Sequence, residues 1–228
     1  MINRRSVLAG AGTGVLAATA GCLDFLLGNE PLEYTAEPVL PAEATLESTG
    51  YAEYQSGWQR VTEEAAGREI AASAWSVAYT NEVTIQGQSR DAAVFAAISM
   101  PEMSVGGKAM NPLADMDTDE LLEELGGELE GEFDGLAEPQ PTGESFALGI
   151  LGANRTVDEF ASEAQFEDER LEITLWVTKF THDDDLIVLV GGFPTQLPDE
   201  GVYIEDLMRS VEHPASRDVP APETDEGA

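Results

Sequence analysis

The sequence is organised around residues 170–193, which read RLEITLWVTKFTHDDDLIVLVGGF. Apolar and polar residues alternate up to position 181, a pattern typical of a half-buried strand. The aspartates at 183–185 predict a tight turn, because Asp hydrogen-bonds to its own backbone and tolerates left-handed conformations. Residues 186–193 are continuously apolar, as in a strand buried on both faces. The stretch therefore predicts a hairpin that contributes a central strand to a sheet.

The flanking sequence predicts more hairpins. Residues 51–64, 69–83 and 91–100 are rich in Tyr, Trp, Val, Ala and Ile, and short glycine-containing connections join them. Residues 145–151 and 156–166 predict another pair of strands, with the turn between them at 152–155. An antiparallel sheet accounts for these hairpins most simply.

Helices are predicted at three places. Residues 41–48 precede Gly50, Asp117 and Glu120 have the spacing of a capping box, and residues 199–211 carry apolar side chains at helical spacing. Strands in hairpins with interspersed helices indicate the α+β class. We therefore expect a single α+β domain over residues 32–214, in which two or three helices pack on an antiparallel sheet.

The first residues, MINRRSVLAGAGTGVLAATAGC, are typical of an export signal. Arg4 and Arg5 precede a weakly apolar stretch of about fourteen residues, too short to span about 30 Å of hydrocarbon as a helix. The arginine pair before this segment resembles a twin-arginine signal. We expect residues 1–21 to be the signal peptide.

Cys22 is the only cysteine of the chain and follows Thr-Ala-Gly, as in a lipobox. Small residues before the cysteine let an extended segment enter a signal peptidase, and the thiol can be lipidated. Two acyl or isoprenoid chains would hold the protein at a membrane far more strongly than a single myristoyl chain. The sequence thus predicts a covalent lipid anchor at Cys22, a tether over 22–31, and a location on the outer face of the cytoplasmic membrane, at the cell surface.

The chain carries 44 Asp and Glu against 11 Lys and Arg, a formal net charge of −33. Such a charge argues against nucleic acid as a partner, because phosphates attract basic surfaces. It is typical of a protein adapted to concentrated salt, where screening over about 3 Å at 1 M removes most of the self-repulsion. The acidic, proline-containing residues 215–228 predict a disordered tail.

Several segments in this order resemble a family of uncharacterised haloarchaeal surface lipoproteins exported by the twin-arginine route. The segments are RR at 4–5, TAGC at 19–22, NPL at 111–113, DEL at 119–121, LIVLVGGFP at 186–194 and DLMRSVEHP at 206–214. The resemblance implies a lipid-anchored surface domain of unknown function and transfers no activity. The last third is similar in pattern to PsbP/Mog1-like domains, which concerns the fold alone.

The sequence contains none of the usual catalytic or cofactor motifs, such as a G-x-S-x-G elbow, an H-E-x-x-H zinc motif or a P-loop. Asp115, Asp117 and Asp119 have the alternate spacing of a calcium loop, but the glycine and glutamate that an EF-hand requires are missing, so helix capping explains them better. We therefore predict no catalytic residue and no cofactor.

The two histidines are candidate metal ligands. His182 stands beside three aspartates, but consecutive carboxylates in a tight turn rarely converge, so a hairpin turn is the preferred interpretation. His213 is expected to be an exposed cap at a helix end. The sequence therefore predicts no metal site.

Two further features concern the surface and the core. Asn154-Arg155-Thr156 is a glycosylation sequon at the predicted 152–155 turn. The tryptophans at 58, 75 and 176 are expected to be core aromatics on strands rather than the lining of a ligand cleft.

Together these features favour a membrane-anchored, extracytoplasmic lipoprotein of a halophile that acts as a non-catalytic binding or accessory domain. Its partners would be membrane lipid through Cys22 and a membrane or surface protein. Two alternatives stay open: a surface hydrolase or redox-accessory enzyme with a site of dispersed carboxylates, and a structural component of the envelope.

Overall fold

The computed structural model describes residues 32–65, 68–85, 87–105, 108–109, 112–122, 137–166, 169–216 and 219. The predicted signal peptide (1–21), with Arg4 and Arg5, and the tether from Cys22 to residue 31 lie outside the described residues. So does most of the predicted tail.

The described chain is dominated by strands. The strands are β1 (Leu32–Thr35), β2 (Leu40–Pro41), β3 (Ala52–Ala65), β4 (Arg68–Ile85), β5 (Gln88–Pro101), β6 (Ser104–Val105), β7 (Lys108–Ala109), β8 (Gln140–Ile150), β9 (Ala153–Phe166), β10 (Glu169–His182), β11 (Asp185–Pro194) and β12 (Val211–Glu212). The helices are α1 (Glu43–Thr49), α2 (Pro112–Asp115), α3 (residues 118–122) and α4 (Pro198–Ser210).

One open mixed sheet forms the single domain, in the order β1-β4-β5-β11-β10-β9-β8, with β3 on the other side of β4. The hairpins β3–β4–β5 and β8–β9–β10–β11 are antiparallel, as predicted, and meet where β11 pairs with β5. The expectation of a purely antiparallel sheet is wrong at one strand, because β1 pairs in parallel with residues 70–73 of β4. The domain is also richer in sheet than the predicted α+β arrangement.

Strand β11 is the centre of the domain, and each of its ten residues is buried. This confirms the interpretation of the apolar run as a central strand. The hairpin turn consists of Asp183 and Asp184, whose φ angles of 48° and 67° lie in the left-handed region that Asp tolerates. The sequence pattern and the turn chemistry therefore specify the same hairpin.

Helix α4 packs on one face of the sheet through two glycines. A methyl group on Gly191 of β11 would overlap Ile204 of the helix. A methyl group on Gly201 would lie 2.9 Å from Trp176 Cη2 and 3.1 Å from Phe193 Cζ. The missing side chains let the helix backbone come close to the strands, so Ile204, Leu207 and Met208 are fully buried.

The opposite face is covered by the segment 112–122. Lys179 and Trp176 lie on opposite faces of β10. The Nζ of Lys179 donates hydrogen bonds to the carbonyls of Leu113 and Ala114, at 3.1 and 3.0 Å, and to the carbonyl of Met116. Leu121 and Leu122 are buried in the core. Both faces of β10 are thus covered over its second half, although its alternating sequence predicted a half-buried strand.

The capping box predicted at Asp117 is present. The Asp117 carboxylate accepts a hydrogen bond from the backbone N–H of Glu120 at 2.9 Å, and the Asp117 N–H donates to the Glu120 carboxylate at 3.3 Å. Helix α1 ends at Gly50, whose φ of 81° is that of a left-handed cap.

The predicted turn at 152–155 is displaced. The turn consists of Leu151 and Gly152, both with positive φ, and β9 already begins at Ala153. Pairing with β8 therefore extends the strand further than the sequence pattern alone indicates.

Candidate functional site

An open groove of about 520 Å³ runs along β9 and β10 beside the segment 137–140 that leads into β8. Its lining combines acidic, hydroxyl and amide side chains with some apolar surface. The residues are Ala137, Glu138, Gln140, Glu159, Phe160, Ala161, Ser162, Glu163, Glu172, Ile173, Thr174 and Thr195. Phe160 and Ile173 are buried core residues. Glu159 and Glu163 of β9 and Glu172 of β10 occupy the alternate positions of these strands, so their side chains lie on the other face of the sheet.

Hydrogen bonds hold the wall formed by residues 137–140 against β9. The N–H of Ala137 donates to the carbonyl of Glu163 at 2.7 Å, and the hydroxyl of Ser162 donates to the carbonyl of Ala137 at 2.6 Å. Across the groove, the Thr174 and Thr195 hydroxyls are 3.0 Å apart. The groove is therefore a built feature of the sheet edge.

Four carboxylates contribute to the groove, and two have contacts that orient them. Glu159 accepts a hydrogen bond from Nε1 of Trp176 at 3.1 Å, and Glu163 lies 3.6 Å from Arg170. Glu138 and Glu172 are exposed. No lysine, histidine or cysteine is among the described residues that line the groove, so its electrostatic character is acidic.

A second polar cluster lies under helix α4. The Glu200 side chain accepts a hydrogen bond from the Tyr51 hydroxyl at 3.1 Å and from the Asn81 amide at 3.3 to 3.4 Å. Glu200 is in the first turn of the helix, where the macrodipole stabilises a carboxylate. Burial, with the nearby Glu200 carboxylate, raises the pKa of Tyr51 well above its ordinary value. These contacts join α4 to β4 and to Tyr51, which directly precedes β3, so we assign the cluster a structural role.

The prediction that His213 is an exposed cap is wrong. Its side chain is fully buried, and Nε2 lies 3.0 Å from the carboxylate of Asp185. The same carboxylate oxygen accepts a hydrogen bond from the N–H of Glu37 at 2.7 Å. Strands β2 and β12 pair just before His213, and Ala215 donates to Pro38 just after it. Because the backbone on both sides of His213 pairs with residues 38–41, the histidine side chain is buried.

The other predicted residues lie at three places. Asp115, Asp117 and Asp119 lie in the α2–α3 segment, and Asp117 caps α3. Asn154 is exposed at the start of β9, beside the hairpin turn.

The tryptophans pack in and around the core. Trp75 is buried, while Trp58 and Trp176 are half-buried and pack against the core, as the sequence predicted. Trp176 also lies between Phe146 and Phe193 in edge-to-face contacts, with ring centres 4.9 and 5.0 Å away.

Sequence reasoning missed the groove. The glutamates of the groove are few among 44 acidic residues, so their spacing carries no distinguishing signal. The segment 137–140 reaches them only through its pairing with β9.

The chain belongs to the family described as domain of unknown function DUF6517, whose model matches residues 38–212. No curated protein matches it in a sequence comparison. Among the described residues, no helix has the length and apolar character needed to cross a membrane.

Two solved structures resemble the chain distantly. PA94 of Pseudomonas aeruginosa, a protein of unknown function, is 11% identical with a TM-score of 0.28, and the match covers 72% of this chain and 99% of PA94. The cyanobacterial PsbP protein (CyanoP) of Synechocystis sp. PCC 6803 is 13% identical with a TM-score of 0.34, and the match covers 89% of this chain and 97% of CyanoP.

Proposed function

We propose that this protein is a lipid-anchored surface domain of a halophile that binds a cationic ligand without transforming it. The groove of about 520 Å³ with four glutamates in its lining is the observation that carries the binding role. Carboxylates, hydroxyls and an amide beside apolar surface suit a ligand that carries amino groups on a short apolar body. In concentrated salt, long-range attraction is screened, so direct hydrogen bonds to these side chains would supply the selectivity.

Titration with spermidine in molar KCl tests the binding role. We expect binding that weakens about tenfold or more when Glu138 and Glu172 are both changed to Gln, since each loses a charge-assisted hydrogen bond. Changing Glu43 and Glu47 on α1 to Gln is the matched control, because it removes the same charge at exposed positions away from the groove. Equal weakening in both double variants would mean that binding depends on net charge alone, and it would refute the groove as the binding site.

The anchoring role is supported by the sequence around Cys22, the only cysteine. Detergent phase partition of the protein from its native membranes tests it. We expect the natural protein in the detergent phase and the Cys22→Ser variant in the aqueous phase, with mass spectrometry locating the lipid on residue 22. An intact chain that starts at Met1 with a free thiol would contradict the proposal.

A further inference from the structure

Both histidines of the chain meet at one end of the β10–β11 hairpin. Their rings contact edge to face, with centres 5.6 Å apart and an interplanar angle of 65°. His182, Asp183 and His213 each offer one ligand atom, and these atoms all lie within 4.8 Å of one another. The fold thus brings the imidazole of His213 next to the imidazole and the carboxylate of the adjacent residues His182 and Asp183.

His213 has one nitrogen engaged and one without a partner. The Asp185 carboxylate is an acceptor, so it favours the tautomer that places the proton on Nε2 and leaves a lone pair on Nδ1. Nδ1 is buried and has no hydrogen-bond partner among the residues that the structure describes. Leaving a buried polar atom unpaired costs about 1–3 kcal/mol. A bound cation would supply the missing partner.

We propose that His182, Asp183 and His213 bind a divalent transition-metal ion, with His213 coordinating through Nδ1. Imidazole nitrogens favour ions such as Zn²⁺, Ni²⁺ and Cu²⁺ over Mg²⁺ and Ca²⁺. Asp185 takes the position of the outer carboxylate that commonly orients a metal-bound histidine. Three protein ligands leave room for water or for a ligand atom of a bound molecule. The inference does not depend on the proposed function of the groove.

The spacing is close to what such an ion requires. Ligands about 2.1 Å from a tetrahedral zinc lie about 3.4 Å from one another. His182 Nε2 and Asp183 Oδ2 are already 3.6 Å apart. Their side chains are 25% and 68% exposed, so they can rotate toward the buried His213, and an ion can reach them from solvent. The site therefore combines two ligands that solvent can reach with one that is buried.

Zinc titration of the full chain, carrying no histidine tag and kept in molar KCl, tests the proposal. NMR of the imidazole nitrogens is decisive, because the chain has only two histidines. We expect one equivalent of Zn²⁺ to shift the signals of both, and His182→Gln and Asp183→Asn each to weaken binding by about tenfold or more. Excess Mg²⁺ should not displace the zinc.

Asp184→Asn is the matched control. Asp184 has the same residue type and the same left-handed backbone as Asp183, and Asn tolerates that conformation. We expect it to bind zinc like the unchanged protein. His213→Gln would also remove the contact with Asp185 and destabilise the domain, so the test of metal binding depends on the His182 and Asp183 variants. The proposal would be overturned if no zinc bound, or if zinc bound without shifting the histidine signals. It would also be overturned if the His182 and Asp183 variants kept their zinc affinity, or if Asp184→Asn weakened binding as much as they do.

Discussion

Gly191 controls how closely α4 approaches the sheet. We expect Gly191→Ala to lower the free energy of unfolding by about 1–3 kcal/mol, because the added methyl group overlaps Ile204 and the helix must shift. Chemical denaturation measures the loss. Gly149→Ala is the control, since β8 leaves open space around that position. An equal loss in both variants would mean that helix contact is not the cause.

Tyr51 makes stability depend on pH in the alkaline range. Its folded-state pKa is raised, so its contribution is complete below the unfolded value of about 10 and is lost as pH rises above it. Tyr51→Phe should cost about 1–3 kcal/mol at neutral pH, because Glu200 loses a hydrogen bond. The variant should also lose less stability than the natural protein between pH 9 and about 11. Parallel pH profiles would contradict this assignment.

At the scale of elements, Lys179 joins the segment 112–122 to the sheet. Its Nζ donates to three carbonyls of that segment, so Lys179→Met should remove these hydrogen bonds and cost about 1–3 kcal/mol locally. Hydrogen exchange should then quicken at Leu121 and Leu122 while β11 stays protected. Lys179→Arg keeps the charge and a donor, so it should retain part of the protection. Uniform loss of protection in Lys179→Met would indicate global destabilisation instead.

At the scale of the whole molecule, a net charge of −33 predicts that the stability of the fold depends on salt. The screening length falls from about 10 Å at 0.1 M to about 3 Å at 1 M, so repulsion between neighbouring carboxylates weakens. We expect a higher melting temperature in about 3 M KCl than in about 0.1 M. Equal melting temperatures at the two salt concentrations would contradict the predicted salt adaptation.

A charge-reduced variant separates screening from a general salt effect. Glu43, Glu47 and Glu144 are exposed, and changing all three to Gln should narrow the difference between low and high salt. The three side chains are exposed, and Glu43 alone has a helix dipole nearby, in the first turn of α1, so thermal melts report mainly the repulsion between surface charges. An unaltered salt dependence would mean that the salt acts through burial of apolar surface.

Local patterns predicted the hairpins well and the site poorly. Alternation over β10, the aspartate turn and the Asp117 cap each depend on residues a few positions apart, and the structure contains all three. The groove and the His213 contact depend on pairing between distant segments. Asp185 meets the backbone of Glu37 across 148 positions, which no local periodicity encodes.

The amino-acid order alone therefore specified strand periodicity, turn chemistry, helix caps and the acidic surface, because each arises from the preferences of neighbouring residues. The tertiary fold decided that β1 runs parallel, that both faces of β10 are covered, and that a histidine expected in solvent is buried against Asp185. Those outcomes depend on which distant backbone groups pair and which apolar surfaces are buried against each other. Such contacts form cooperatively over the whole chain, so no short segment encodes them.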